Sequence, residues 1–295
     1  MKNQVRFIAF LMVILFGGLL AGCQSTNSSN QQTQSAASPK KVVFGVAPGP
    51  YGDMVRYAIK PGLEKKGYSV EIKEFSDWVQ PNLALNNKEL DANLFQHSLY
   101  LEKFSKDKGL TLSPTIKVPT AGMGIYSRKI NAKTAEELKA AIKPGDEITL
   151  PNDPTNMARA LRFLARNNLF TLKSDIDVAK VSEKDIADNP YNLKISTVEA
   201  AQLPRTLDSI ALSVIPGNYA ISAGIPLASA IILEELSEDI KNIIAVRTED
   251  LEMPFVRDLK EVVESEDFKN VIEDPKYIFK DFQKPDWYKE KWNVK

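Results

Sequence analysis

The sequence predicts an α/β protein with two lobes, and two observations lead to that prediction. Short runs with strand-like spacing of apolar residues alternate with longer runs that have helical spacing, which is the pattern of open α/β sheets. The chain has 295 residues, whereas a single hydrophobic core stops growing near about 250 residues. We therefore expect two α/β units.

The first half of the chain begins with a strand, a loop and a helix. Residues 42–46 are a β-branched run, and a loop rich in Gly and Pro separates them from a helix predicted over residues 53–66. Alternating apolar and charged side chains predict the next strand over residues 69–75. A third strand is predicted over residues 90–95.

Two helix starts are the clearest signals between residues 120 and 170. Thr134 and Glu137 have the spacing of a capping box. Asp153 is a predicted N-cap, with Pro154 at the first helical position, for a helix that runs to about residue 168. The remaining predicted strands lie at residues 122–126, 147–150 and 207–215, and the remaining predicted helices at residues 234–240 and 258–265.

Composition excludes several classes of function. The chain has 38 basic and 38 acidic side chains, so it provides no basic field for nucleic acid. One Cys and one His cannot build a zinc site of the usual nitrogen and sulfur ligands. The sequence contains no P-loop, no G-x-G-x-x-G and no G-x-S-x-G motif, and we expect neither a metal nor a cofactor.

The N-terminal segment has the features of a secretory signal. Lys2 and Arg6 precede an apolar and glycine run of 14 residues, which is the length of a signal-peptide core and too short for a comfortable membrane span. The run ends in Leu-Ala-Gly-Cys23, which resembles the lipobox of bacterial lipoproteins. That resemblance implies a signal peptide over residues 1–22 and lipidation of Cys23; the alternative is an ordinary signal peptide with a chance cysteine.

The segment after the cysteine is predicted to be a disordered tether over residues 23–40. Gln, Ser, Thr or Asn occupy 13 of the 17 positions from 24 to 40. Such a stretch cannot bury enough apolar surface to offset the entropy of ordering it. We expect it to join a lipid anchor to the folded part of the chain.

Five segments of the folded part resemble one known family. They are FSDWVQPNLAL at 75–85, LDANLFQH at 90–97, LPNDPTN at 150–156, AQLPR at 201–205 and GNYA at 217–220. In this order they are similar to the signature segments of the NlpA/MetQ family of lipoproteins. The resemblance implies a two-lobed periplasmic-binding-protein fold with two crossings between lobes. It implies lobe one over residues 41–119 plus 225–295 and lobe two over residues 120–224.

The same resemblance implies a function in transport. Members of the family bind methionine or a related amino acid and deliver it to an ABC importer, so the implied partners are L-methionine or a relative and the permease and ATPase subunits of the importer. The implied location is the extracytoplasmic face of the cell membrane, through the lipid anchor. Two alternatives stay open: a surface lipoprotein that acts in adhesion or partner binding, and an enzyme on the same fold.

An amino acid requires groups for its charged end, and two candidates follow the predicted strand at 147–150. Arg159 lies near the start of the helix that begins at Pro154, where helix amides favour anions, so a cation there suggests an anionic partner such as a ligand carboxylate. Asn156 can assist through its amide. On spacing alone, Arg159, Arg162 and Arg166 form a solvated basic stripe; the resemblance favours ligand binding by Arg159.

The remaining candidates come from two other loops. Asn218 lies in a Pro-Gly-Asn-Tyr turn, where Asn is common for backbone reasons, but the resemblance makes it a contact for the ligand's α-amino and carboxylate groups. Trp78, Phe95 and Tyr100 are candidate walls for a thioether side chain, although each is compatible with an ordinary core position. His97, the single histidine, is expected as a neutral imidazole with one hydrogen bond near the ligand.

Overall fold

The computed structural model describes residues 40–177 and 180–294. The predicted signal peptide, Cys23 and nearly all of the predicted tether lie outside them. The strands are β1 (Lys40–Val46), β2 (Tyr68–Glu74), β3 (Ala92–His97), β4 (Leu112–Lys117), β5 (Gly124–Tyr126), β6 (Glu147–Pro151), β7 (Thr171–Leu172), β8 (Ile186–Asp188), β9 (Lys194–Val198), β10 (Leu212–Ile215), β11 (Ile232–Leu233) and β12 (Asn242–Arg247).

The helices alternate with these strands. They are α1 (Pro50–Met54), which continues through a π-helical turn (Val55–Ile59) into α2 (Lys60–Lys65), then α3 (Gln80–Asn86), α4 (Ser98–Lys108), α5 (Ala135–Ala141), α6 (Pro154–Arg166), α7 (Leu203–Thr206), α8 (Gly217–Ser222), α9 (Pro254–Val263), α10 (Glu266–Glu273) and α11 (Asp286–Trp292). Short 3₁₀ turns link several of them. The alternation confirms the predicted α/β class.

Each lobe contains one five-stranded sheet. The first sheet has the order β2-β1-β3-β12-β4 and the second has the order β11-β5-β10-β6-β9. In the first sheet β1, β2 and β3 are parallel, and in the second β6, β9 and β10 are parallel. Separate clusters of buried apolar side chains cover the two sheets. Each sheet therefore has a hydrophobic core of its own.

The chain crosses twice between the sheets. The first crossing, residues 118–123, joins β4 to β5 and contains Pro119. The second crossing lies at residues 234–241, between β11 and β12, because Ile232 and Leu233 pair with β5 in the second sheet. The predicted boundary at 224/225 is thus too early: strand pairing keeps β11 with the second lobe.

Two predicted elements differ from the structure. Residues 234–240 were expected as a helix but form an extended crossing that ends in a 3₁₀ turn, Glu238–Ile240. The predicted strand over 207–215 is confined to β10, because residues 207–211 form a turn and a bend after α7. At the crossing, hydrogen bonds of Glu234 and Leu236 to Met123 and Gln283 override the local apolar pattern.

The aromatic C-terminal stretch packs on the first lobe. Phe279, Phe282 and Tyr288 belong to the buried cluster of that lobe. Thr120 and Gln283 form a two-way backbone bridge that fixes the stretch to the first crossing. Within residues 40–177 and 180–294, no helix is both long enough and apolar enough to cross a bilayer.

Candidate functional site

A cleft between the two sheets holds the candidate site. Four of the segments that line the cleft follow the ends of the parallel strands β1, β3, β6 and β10. Open α/β sheets bind ligands at these strand ends. The cavity has about 390 Å³ of empty space, part of it open to solvent. The residues that line it are Tyr51, Trp78, Phe95, Gln96, His97, Tyr100, Thr120, Ala121, Asn156, Arg159, Pro216, Gly217, Asn218 and Asn242.

Arg159 forms a buried ion pair with Glu234. Its Nε lies 3.0 Å from each carboxylate oxygen of Glu234, and its Nη2 donates to Oε2 at 2.5 Å. The two residues are only 6 % and 5 % exposed, so either charge alone would carry a large desolvation cost. Arg159 lines the cavity and Glu234 does not. The carboxylate therefore lies behind the guanidinium and fixes its orientation.

Asn156 joins the two lobes beside that pair. Its side-chain oxygen accepts from Arg159 Nη1 at 3.3 Å and lies 3.3 Å from His97 Nε2 of the first lobe. Its side-chain amide donates to Asp153 at 3.3 Å, while Asp153 also accepts from the backbone N–H of Asn156. The predicted N-cap at Asp153 is thereby confirmed, and the same carboxylate orients a cleft residue.

His97 is held as a neutral ring. It ends β3 and caps α4, because its Nδ1 accepts from the backbone N–H of Tyr100 at 3.2 Å. Nε2 then carries the proton and donates to Asn156. Burial, followed by the positive charge of Arg159, lowers the pKa of His97 from 6.5 to about 3. The imidazole is uncharged at neutral pH, as the sequence predicts.

Asn218 connects α8 to the first lobe. Its side-chain amide donates to the backbone carbonyl of Pro48 at 3.2 Å, which leaves its side-chain oxygen as an acceptor. Gly49 has a φ of 121°, and a Cβ there would lie 2.7 Å from the Asn218 carbonyl. Only glycine permits this close approach between the lobes.

The aromatic wall belongs mainly to the first lobe. Tyr100 packs edge-on against Trp78 and Phe95, with ring centroids 6.1 and 6.3 Å apart. Tyr219 of the second lobe lies over Trp78 at 5.0 Å. Burial raises the pKa of Tyr100 well above its usual range, so its hydroxyl is neutral. Rings of this kind give an apolar pocket with polarisable faces.

All seven predicted ligand-binding residues line this one cavity: Trp78, Phe95, His97, Tyr100, Asn156, Arg159 and Asn218. Their individual contacts with a ligand stay predictions. The alternative of a solvated arginine stripe is wrong for Arg159, because that side chain is buried against Glu234, whereas Arg166 on the same helix is exposed.

Sequence reasoning missed three parts of the site. Tyr51 follows β1, is 2 % exposed, and its hydroxyl accepts from the backbone N–H of Ala121 at 3.2 Å; burial raises its pKa to about 12. Gln96 is held by a buried amide network with Asn82. Glu234 was assigned to a helix. The loop after β1 was a visible signal for Tyr51, but no local pattern points to Glu234.

No metal centre accompanies the cleft in the part of the chain that the structure describes. There, no group of three or more His, Cys, Asp or Glu side chains is arranged to hold an ion. The polar groups of the cleft are instead a guanidinium, amides, hydroxyls and a neutral imidazole. Such groups suit a small organic ion whose charges are matched by hydrogen bonds.

Two open sheets, two crossings between them and a cleft lined by both lobes define a two-lobed substrate-binding protein. The model of the NlpA lipoprotein family matches residues 42–287. The chain belongs to that family.

Similar proteins cover nearly the whole folded part. The chain is 36 % identical over 270 residues to the D-methionine-binding lipoprotein MetQ of Salmonella typhi, covering 89 % of this chain and 93 % of that one. A nutrient-binding protein from Burkholderia cenocepacia, solved bound to methionine, superposes with a TM-score of 0.73 at 36 % identity, over 79 % of this chain and 95 % of that one. A periplasmic substrate-binding protein of an ABC transporter from Coxiella burnetii superposes with a TM-score of 0.75 at 33 % identity, over 82 % of this chain and 99 % of that one.

Proposed function

We propose that this chain captures methionine or a closely related amino acid between its lobes and delivers it to an ABC importer. One observation carries the proposal: a buried guanidinium, four amide side chains and four aromatic rings line a single interlobe cavity. The guanidinium and amides suit the charged end of an amino acid. The rings suit a thioether, since sulfur contacts with aromatic rings contribute about 0.3–1.5 kcal/mol beyond area burial.

Within this proposal each side chain has a role. Arg159, assisted by Asn156, binds the ligand carboxylate. Asn218 accepts from the ammonium through its side-chain oxygen, the atom that its bond to Pro48 leaves available. Trp78, Phe95 and Tyr100 enclose the ligand side chain. His97 fixes Asn156 and contributes no charge.

A thermal-shift panel of free amino acids tests the ligand. The protein is first unfolded and refolded to remove any ligand carried through purification. A ligand at a thousandfold excess over its dissociation constant stabilises the folded state by about 4 kcal/mol, which for a chain of this size raises the melting temperature by roughly 8–16 °C. We expect that shift with methionine. No shift with any amino acid would contradict the proposal.

We further propose that the chain only binds its ligand and does not transform it. Members of the family named among its relatives are substrate-binding transport proteins, and the cleft groups described above serve recognition. Methionine recovered after long incubation should be chemically unchanged by mass spectrometry. A new product that depends on the protein would contradict this assignment and support the enzyme alternative.

Delivery and anchoring are proposals of the same kind. We propose a signal peptide over residues 1–22, a lipid on Cys23 and a tether that holds the folded part at the extracytoplasmic face of the membrane, where permease and ATPase subunits receive the ligand. Replacing Cys23→Ser should move the protein from the membrane fraction to the soluble fraction. Deleting the gene should abolish uptake of labelled methionine at low concentration; normal uptake would contradict delivery and favour a role in adhesion.

A further inference from the structure

We propose that Glu234 determines which charge state of ligand the cleft accepts. By neutralising Arg159 from behind, it restricts the site to ligands with no net charge, so that an amino acid binds as its zwitterion while anionic and cationic analogues are rejected. This inference rests on the proposed function, because it concerns how the same cavity selects among amino-acid-like molecules.

The first support is the charge balance of the cavity wall. Arg159 is the single formally charged side chain among the described residues that line the cavity, since His97 is neutral at pH 7. Glu234 lies directly behind it, at 2.5–3.0 Å. Asp153 is a second carboxyl near Arg159, and burial raises its pKa. It accepts from the backbone N–H of Asn156 at the start of α6 and makes no ion pair with the guanidinium among the described residues.

The second support is how firmly Glu234 is held. Its carboxylate Oε2 also accepts from the backbone N–H of Met123 at 3.2 Å. Its own backbone N–H donates to the Met123 carbonyl at 2.8 Å, and its carbonyl accepts from the side-chain amide of Gln283 at 2.7 Å. Glu234 therefore ties Arg159 to both crossings, and the negative charge cannot move away when a ligand arrives.

A fixed, neutral ion pair has a consequence for ligand choice. A carboxylate that approaches Arg159 also experiences the charge of Glu234, so an anion leaves one uncompensated negative charge in a buried site. A cation leaves an uncompensated positive charge. A zwitterion supplies both signs, which avoids either cost.

Three probes that share a methylsulfanyl group on a three-carbon chain test the inference by calorimetry at pH 7. They are methionine, its deaminated anion 4-(methylsulfanyl)butanoate, and its decarboxylated cation 3-(methylsulfanyl)propylamine. The readout is the ratio of anion affinity to cation affinity. In Glu234→Gln this ratio should rise about tenfold or more over the native protein, because a unit negative charge close to the ligand is removed.

Glu234→Asp is the matched control. It keeps the charge but shortens the side chain, so the pairing geometry with Arg159 is lost. We expect weaker methionine binding and an anion-to-cation ratio within about twofold of the native value. A purely structural role for Glu234 would lower the affinity for all three probes equally in both variants.

The remaining outcomes also decide the question. An unchanged ratio in a folded Glu234→Gln protein that still binds methionine overturns this inference alone. If Glu234→Gln does not fold, Arg159→Gln is compared with the double variant Arg159→Gln, Glu234→Gln, in which no buried charge is left unpaired. The anion-to-cation affinity ratio should be about tenfold higher in the double variant than in Arg159→Gln. An equal ratio in the two proteins overturns the inference. Failure of the native protein to bind methionine overturns the proposed function and this inference with it.

Discussion

The two walls of the cleft are held in place in different ways. On the second lobe, Arg159 and Asn156 lie in a continuous set of hydrogen bonds that includes Glu234 and Asp153. On the first lobe, the aromatic wall is positioned by ring packing, and the indole nitrogen of Trp78 has no hydrogen-bond partner among the described residues. One wall is ordered by directional bonds. The other is ordered mainly by ring packing, with one hydrogen bond from the Tyr100 hydroxyl to the Trp78 carbonyl at 3.2 Å.

That difference predicts different tolerance to change. A buried charge needs its partner at a fixed distance and angle, because an unpaired group keeps its full desolvation cost. An apolar wall loses only the area and contacts that a substitution removes, and volume-conserving changes are tolerated. Substitutions on the polar wall should therefore weaken binding more than substitutions on the aromatic wall.

The largest effect is expected from Arg159→Gln. The variant removes the charge-assisted bonds to a ligand carboxylate and leaves Glu234 buried without its partner, so methionine affinity should fall roughly a hundredfold. Calorimetry on the refolded protein measures it. Arg166→Gln on the same helix is the control: its side chain is exposed, and affinity should stay within about twofold. Near-native methionine affinity in Arg159→Gln would contradict the proposal that Arg159 binds the ligand carboxylate.

A smaller loss is expected from Trp78→Leu. The substitution keeps an apolar side chain but removes the ring face, so sulfur contacts worth about 0.3–1.5 kcal/mol and some buried area are lost. Methionine affinity should fall about five- to tenfold. Tyr57→Leu serves as the control, since Tyr57 is an aromatic residue 43 % exposed outside the cleft. A loss as large as that of Arg159→Gln would show that both walls are equally intolerant.

What the sequence could predict depends on whether a feature is set by neighbouring residues or by distant ones. The α/β class and the strand ends that carry the site follow from local patterns, and the cap at Asp153 was predicted to the residue. The cleft residues were named through family motifs in separate segments. Strand ends and helix caps are local properties, so one sequence suffices for them. Ring packing joins distant residues such as Trp78 and Tyr219, and only the family motifs pointed to the rings of the cleft.

Glu234 shows where local patterns fail. The start of α6 predicts an anionic partner for Arg159, and the sequence alone assigns that role to a ligand carboxylate. The structure supplies a carboxylate 75 residues away in sequence, on a crossing whose apolar spacing had suggested a helix. β12 was missed for a related reason: all six of its residues are buried, so its sequence lacks the alternation that marks a half-exposed strand.

His97 touches both walls, and its protonation state provides a pH test. Its pKa is about 3 in the folded protein against about 6.5 when unfolded. The unfolded chain therefore binds a proton that the folded chain does not, and stability increases as pH rises from about 3 to 6.5. From pH 5.5 to 6.5 the gain is about 1 kcal/mol.

Urea unfolding of native protein and His97→Gln at several pH values measures this contribution. Glutamine can still donate to Asn156 but cannot titrate. The free energy of unfolding of the native protein, relative to that of His97→Gln, should therefore increase by about 1 kcal/mol from pH 5.5 to 6.5 and stay nearly constant above pH 7. The raised pKa of Asp153 acts in the opposite direction, but it is common to both proteins. A pH-independent difference would mean that His97 titrates normally in the fold.

The smallest effect is expected where the two walls meet, at Tyr219. This side chain is 3 % exposed, packs on Trp78, and its hydroxyl has no hydrogen-bond partner among the described residues. Tyr219→Phe should change the free energy of unfolding by less than about 0.5 kcal/mol, because no bond is lost. Tyr288→Phe is the matched comparison: that hydroxyl donates to Glu273 at 2.8 Å, and its removal should cost roughly 1.5 kcal/mol or more. Equal losses in urea unfolding would show that the Tyr219 hydroxyl is bonded in solution, and the aromatic wall would then depend on directional bonds as the polar wall does.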